Sequence, residues 1–320
     1  MYMKLKMPDP SAGPFAMPTL DSSHITRKWL DVDYTPEKPH PMRKLDIYLP
    51  EEGDGPFPAL ITVHGGAFSF GQKDDAQCAL WCEAIPHGFA VVGVEQRLCN
   101  PKGGMFGAAE YNKEGVFPNP VFDVKAAIRF LRANAAAYKL DPSKFAIAGG
   151  SAGGYHAVIA AASANNPAMR DESLGYADVS EEVHAVVTQF GVGDMVVLSE
   201  FTEKTPAMPI PGSDQTFKMP NYADIFLGVN AREHPELAWF STPSTWLTKD
   251  MPPIYIQHGV ADEVVPVECS RLLRERIEQV CGKDRYVYEE FEGYTHADMR
   301  FNEDGNIQKI IAWLKTALNA

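Results

Sequence analysis

The stretch "KFAIAGGSAGGYHAVIAAAS", residues 144–163, decides the fold. A short run of apolar and alanine residues leads into a turn, and an alanine-rich run leads out of it. This is the pattern of a buried strand handing over to a helix. The turn places Ser151 between two pairs of glycines, Gly149–Gly150 and Gly153–Gly154. One glycine is enough for a turn, so a pair on each side predicts a backbone crowded from both directions. Gly149-Gly150-Ser151-Ala152-Gly153 also fits the G-x-S-x-G pattern, in which a strained strand-to-helix elbow holds a serine hydroxyl out of the backbone. A serine hydroxyl is a poor nucleophile, and it needs that exposure, a neighbouring base and donors for an oxyanion. The competing readings are a phosphate-binding loop and a plain turn. Against the first, the stretch has neither a P-loop lysine nor a Rossmann-spaced glycine set.

Outward from this turn the chain alternates between two patterns. "PALITVHGG" and "FAVVGVEQR" before it, and "HAVVTQFG", "PPIYIQHG" and "RYVYEEFEG" after it, are short apolar runs of the kind buried on both faces of a sheet. "FDVKAAIRFLRANAAAYK" (122–139) has apolar residues at helical spacing, including Val124, Ile128 and Leu131; "PVECSRLLRERIEQV" and "NIQKIIAWLKTAL" are amphipathic. Alternation of this kind predicts an α/β fold with a doubly wound, mostly parallel sheet. Two earlier segments, 24–34 and 43–50, read as an antiparallel strand pair. The expected organisation is a single domain over 1–320 with an N-terminal extension, 1–22. Residues 195–250 are too long for a plain connection and form a cap, lid or small subdomain. That insertion carries Phe201, Met208, Phe217, Met219, Tyr222, Phe226, Trp239, Phe240 and Trp246, an apolar set expected to fold over the crevice. Met3, Met7, Phe15 and Met17 are expected to add to the cover.

In a sheet of this type the ligand crevice lies beyond the C-terminal strand ends, where Ser151 falls. An acid and a histidine should follow the serine in that order. Asp262 lies in the loop after "PPIYIQHG", and His296 lies between the last strand and the last helix. Glu263 and Asp298 are the competing carboxylates, and His258 is read as fixing its own turn. "VHGGAFSFG" (63–71) supplies backbone N–H groups, with Gly66 and Ala67 as expected oxyanion donors and Ala152 as the third. His64 is read as bracing this loop. Ala67 serves as a donor on the expectation that its φ is negative.

Composition excludes several function classes. With 45% hydrophobic and 22% charged residues the chain is an ordinary globular sequence. A net charge of −13 without a basic cluster argues against nucleic-acid binding. No window approaches the roughly 20 apolar residues of a membrane span. The N-terminus lacks an apolar signal core, which predicts a cytoplasmic location. Five cysteines, an odd number, fit free thiols. Cys78 and Cys82 have no partners for a zinc site, so buried free thiols and no metal are expected, and the chemistry of a nucleophilic serine needs no cofactor.

"LDIYLP", "ITVHGGAF", "FPNPVFDVKAAIRFLRANAAAY", "LDPSKFAIAGGSAGGYHA" and "MPPIYIQHGVADEVVPVECS" occur in an order that resembles the hormone-sensitive-lipase-like esterases of the α/β-hydrolase fold, within the group of bacterial acetyl-xylan and feruloyl esterases. The likeness spans residues 43 to 315. It departs at "HGGA", where lipase-like members often have HGGG. The resemblance implies a serine carboxylesterase acting on short acyl esters, acetyl foremost, of small molecules or carbohydrates, with a catalytic set of Ser151, Asp262 and His296. The same serine-acid-histidine order also occurs in amidases, arylformamidases and prolyl-oligopeptidase-type peptidases, and a binding protein on an inactive hydrolase scaffold is the alternative of another class. The sequence leaves the oligomeric state open.

Overall fold

The computed structural model describes residues 2–8, 17–99, 112–209 and 216–320. Phe15 and the side chains of Met208 and Phe217 lie outside the described residues. The centre is an eight-stranded sheet made of β1 (Lys28–Asp33), β2 (Lys44–Tyr48), β3 (Phe57–Val63), β4 (Ala90–Val94), β5 (Leu140–Gly150), β6 (Ala185–Gln189), β7 (Ile254–Gly259) and β8 (Tyr286–Phe291). Across the sheet the order is β8-β7-β6-β5-β3-β4-β2-β1. β3 to β8 are parallel, while β2 runs antiparallel to both β1 and β4. This is the expected doubly wound sheet with an antiparallel opening pair.

The helices are α1 (Ala76–Leu80), α2 (Asn119–Ala133), α3 (Ala152–Ala162), α4 (Met195–Lys204), α5 (Tyr222–Leu227), α6 (Pro235–Ser241), α7 (Glu268–Cys281) and α8 (Asp304–Leu318). α2 begins three residues before the helix read over 122–139, because a first turn accepts Pro120 without losing a hydrogen bond. It also ends sooner: turns over 134–139, with Lys139 at φ 56°, redirect the chain into β5.

Strand side chains alternate between two cores. Ala59, Ile61 and Val63 of β3, with Phe145 and Ile147 of β5, pack with Val124, Ile128 and Leu131 of α2 and with Leu273 and Ile277 of α7. Leu60, Ala146 and Ala148 face the other way, onto Ala79 and Leu80 of α1 and Ile307, Ile310 and Leu314 of α8. Both sheet faces are therefore covered, which accounts for the unbroken apolar runs. Tyr2 and Met3 pack against the second core, and Met7 is exposed. Met3 thus packs on the second core rather than over the crevice, the place expected of it together with Met7. Cys78 and Cys82 are buried free thiols. Among the described residues no helix is long and apolar enough to cross a membrane.

Beneath α2 lies a buried ionic cluster. Glu181 accepts from Lys125 Nζ at 3.0 Å, from the Arg129 guanidinium and from Asn165 N–H at 3.1 Å. Burial pulls the Lys125 ammonium down to about 8, against the opposing pull of Glu181. Removing one member of such a cluster leaves buried charge without a partner. Glu181→Ala is therefore expected to cost about 3–5 kcal/mol in urea unfolding, while alanine at the exposed Glu172 costs less than about 0.5 kcal/mol. Equal midpoints for the two variants would contradict this account.

Candidate active site

The four glycines each meet a neighbour that a side chain would strike. A Cβ on Gly149 would stand 2.4 Å from the carbonyl carbon of Gly153, and one on Gly153 would stand 2.1 Å from Val63 O. On Gly150 it would meet the Phe190 ring at 2.8 Å, and on Gly154 Thr188 Oγ1 at 2.5 Å. The crowding from both sides is thus β3 and α3 on one hand and the end of β6 on the other. Ser151 bridges β5 and α3 at φ 56° and ψ −124°, outside ordinary side-chain-bearing conformations. Its N–H donates to Gln189 O at 3.0 Å and its carbonyl accepts from Tyr155 N–H at 3.1 Å, so both ends of the strained residue are tied.

Three loops at the same sheet edge bring the expected residues together. His296 Nε2 lies 3.0 Å from Ser151 Oγ, and His296 Nδ1 lies 2.8 Å from Asp262 Oδ2. The acid and histidine loops are joined by backbone bonds: Val260 N–H donates to Phe291 O and Ala261 N–H to Tyr294 O, both at 3.0 Å. Gly259 permits this approach, since a Cβ there would stand 2.2 Å from Tyr294 O. The edge of the Phe190 ring packs against the His296 ring at 5.0 Å between centroids.

Of the three carboxylates weighed from sequence, Asp262 reaches the His296 ring. Glu263 accepts from the His296 backbone N–H at 3.3 Å and is exposed. Asp298 caps its own turn, accepting from Arg300 N–H at 3.0 Å and from the Arg300 side chain. Burial alone would raise the Asp262 carboxyl, but hydrogen bonds from His258 and His296 outweigh it and hold the group well below the usual carboxylate range. Its other oxygen accepts from Val264 N–H and Val265 N–H at 2.9 and 2.8 Å. His258 keeps its turn closed through Val265 O at 2.9 Å, as expected, and it also reaches the acid, which sequence reasoning missed.

The loop after β3 departs from expectation at one angle. Ala67 has φ 51°, not a negative value, because Gly66 (96°), Ala67 and Phe68 (61°) turn together in the left-handed sense. The turn lets Ser69 and Phe70 N–H both reach Gly66 O, at 2.9 and 3.0 Å. Ala67 bears a cost of about 1–2 kcal/mol that glycine would avoid. Ala67 and Ala152 border the same cavity as Ser151, and Gly66 does not. Among the described residues the N–H groups of Gly66, Ala67 and Ala152 donate to no protein acceptor. His64 braces the loop, with Nδ1 2.8 Å from Gly65 O and Nε2 3.1 Å from Glu95 Oε1. Burial works against a charged His64, but Glu95 outweighs it and the pKa is raised. Glu95 was not singled out from the sequence; an acidic residue closing a buried strand, "VVGVE", was the signal available.

The cavity beside Ser151 is small, about 20 Å³, little more than the room for one water. Leu198, Thr202, Met219 and Tyr222 of the 195–250 segment line it, with Val192, Val264 and Val265. Phe226 stacks on Phe68 at 4.0 Å between centroids. Trp239 takes no part in this wall and is 64% exposed.

A family model described as BD-FAE matches residues 45–277. The probable carboxylic ester hydrolase LipM of Mycobacterium tuberculosis is 28% identical over 255 residues, covering 79% of this chain and 52% of the relative. Esterase LipQ of the same organism is 28% identical over 242 residues, covering 75% of this chain and 50% of the relative. The chain thus spans about half the length of the curated relatives it matches. Among solved structures, a truncated form of a carbohydrate esterase from gut microbiota superposes with a TM-score of 0.73 at 26% identity, covering 92% of this chain and 98% of that one.

The state of Asp262 has a measurable consequence. A carboxyl lowered on folding contributes its full stability above the unfolded value of about 3.9 and loses it as pH falls toward the folded value. Asp262→Asn lacks this contribution at every pH. The melting-temperature gap between the wild type and the variant is therefore expected to be widest at pH 6–7 and to narrow below about pH 4. A gap unchanged from pH 7 to pH 3 would show that Asp262 is not held ionised by its surroundings.

Proposed function

The chain belongs to the BD-FAE family, and we propose that it is a serine carboxylesterase removing short acyl groups, acetyl foremost, from small-molecule or carbohydrate esters. The observation that carries the reading is the unbroken path from Ser151 Oγ through His296 to Asp262, with contacts of 3.0 and 2.8 Å. His296 Nε2 takes the hydroxyl proton as Ser151 Oγ bonds to the ester carbonyl carbon. The negative charge passes to the carbonyl oxygen, beside the N–H groups of Ala67 and Ala152. The tetrahedral species collapses, the alcohol leaves with the proton from His296, and Ser151 holds the acyl group. Water then repeats the sequence and frees the acid. Asp262, ionised, keeps the proton of neutral His296 on Nδ1, which leaves Nε2 free to act as the base.

The acyl preference rests on the cavity. Apolar walls set chain length by volume, and each methylene that fails to fit is worth about 1–3 kcal/mol. In this proposal the apolar side chains of Leu198, Met219 and Tyr222 that line the cavity limit the acyl chain to a short one. On this reading residues 195–250 act as a cap. A sugar as the alcohol portion is supported by the structural likeness to the carbohydrate esterase.

Ser151→Ala is expected to lose p-nitrophenyl acetate hydrolysis and fluorophosphonate labelling together, with an unchanged melting curve. Near-wild-type turnover in this variant would rule Ser151 out as the nucleophile. Asp262→Asn should lower kcat by several orders of magnitude, as removing the acid of such a triad does, and Glu263→Gln by less than about tenfold. The reverse ranking would move the acid to Glu263. Across p-nitrophenyl esters, acetyl to butyryl should surpass octanoyl in kcat/KM by at least about tenfold. A preference for octanoyl would replace the closed pocket with an open lipase-like cleft, and faster turnover of anilides than esters would favour an amidase.

A further inference from the structure

Behind the acid stands a second histidine. His258, at the C-terminal end of β7, is fully buried and engages both ring nitrogens. Nε2 lies 2.9 Å from Val265 O and 3.3 Å from Asp262 Oδ2, and Nδ1 lies 2.7 Å from Ser270 Oγ in the first turn of α7. The tautomer follows from assigning protons over this network. A carbonyl and a carboxylate only accept, so Nε2 carries the proton, donates it to Val265 O and holds its positive N–H 3.3 Å from Asp262 Oδ2. Nδ1 is then a lone pair and receives the Ser270 hydroxyl, which has no other acceptor among the described residues. In the opposite tautomer the Nε2 lone pair would face two oxygens with no proton between them.

We propose that His258 is a positioning residue for the triad acid, holding Asp262 Oδ2 toward His296 Nδ1 through an Nε2–H that Ser270 orients. The proposal rests on the esterase reading above. The hold is double. His258 Nε2 stands 3.3 Å from Oδ2 as an electrostatic partner, and its hydrogen bond to Val265 O fastens the loop whose amides at Val264 and Val265 grip Oδ1. Without it the acid keeps its contact with His296 but loses the anchor that ties its loop to β7 and α7. A carboxylate displaced by a fraction of an ångström misaligns the imidazole relative to Ser151 Oγ, which alters turnover rather than substrate binding.

The test compares His258→Phe, which fills the space without a donor, with His258→Gln, whose amide places N–H groups near the Nε2 position. Ser151 labelling by a fluorophosphonate and p-nitrophenyl acetate turnover in the wild type test the esterase reading itself, separately from the variants. His258→Phe is expected to lower kcat about 10- to 100-fold with KM within about threefold. His258→Gln should restore kcat to within about fivefold of the wild type. Ser270→Ala, which removes the orienting hydroxyl, should lower kcat about three- to tenfold and gives the result if the phenylalanine variant does not fold. A folded His258→Phe with wild-type kcat, equal losses in the Phe and Gln variants, a loss confined to KM, or an unchanged kcat in Ser270→Ala would each overturn the proposal.

Discussion

The site depends on how closely the start of α3 is pressed between the ends of β3 and β6. Val63 O stands where a Cβ on Gly153 would be, and Thr188 Oγ1 comes within 2.5 Å of where one on Gly154 would be. At this separation the chain can pass from β5 into α3 only by a single reversed residue, and that residue is Ser151 at φ 56°. The conformation costs about 1–3 kcal/mol, and surrounding bonds to Gln189 O and Tyr155 N–H hold it in place. Ala67 and Ala152 line the same cavity as Ser151. On the proposed reading, one packing constraint orients the Ser151 hydroxyl and gathers the N–H donors without any side chain built for the purpose.

The acid and the histidine are separated by 34 residues, yet they meet through a different device. β7 and β8 are parallel neighbours, and their C-terminal loops continue the pairing past the strands through Val260 and Ala261. Parallel register alone would place the loops side by side; the continued backbone bonds fix how far each projects. Inside this frame Asp262 is surrounded by donors, and that is why a buried carboxylate stays ionised. A comparable pairing of burial with a compensating partner recurs at His64 and Glu95 behind the loop that carries Ala67. In both places the buried charge stabilises a loop conformation that the sheet does not itself impose.

Much of this was legible in the sequence. The alternation of strands and helices shows the doubly wound sheet, because strands buried on both faces must read as continuous apolar runs. The glycine pairs around Ser151 point to crowding on both sides because glycine is the residue that close backbone contact demands. Asp262 and His296 stand out because each follows an apolar strand at the edge where Ser151 falls. Ala67 shows where such reading stops. Its residue type suggests an ordinary φ, and only the folded turn, with Ser69 and Phe70 reaching back to Gly66 O, forces the left-handed value. Met3 is a second case: an apolar side chain near the N-terminus has no preferred core until the fold has formed the one it packs on. The pairing of His258 with Asp262 was unreadable for another reason. Four residues apart, they meet only because the loop folds back on the end of its own strand.

The 195–250 segment acts on the site in two ways that differ in consequence. Leu198, Thr202, Met219 and Tyr222 form part of the cavity wall, while Phe226 stacks on Phe68, the residue immediately after Ala67. On the proposed reading the first group shapes the space an acyl chain would enter. Phe226 stands behind that loop, where Tyr155 and His156 also set their rings edge-on against Phe68. Burial pushes the His156 imidazole down to about 3, so this cluster packs as neutral rings rather than as a charged site. On the proposed reading, acyl fit and the oxyanion loop thus depend on different residues of one segment. Divergence at Leu198 or Met219 would then change which acyl group fits while the chemistry is retained. On the same reading, a change at Phe226 would reach the strained turn through its stack on Phe68 and act on the reaction itself.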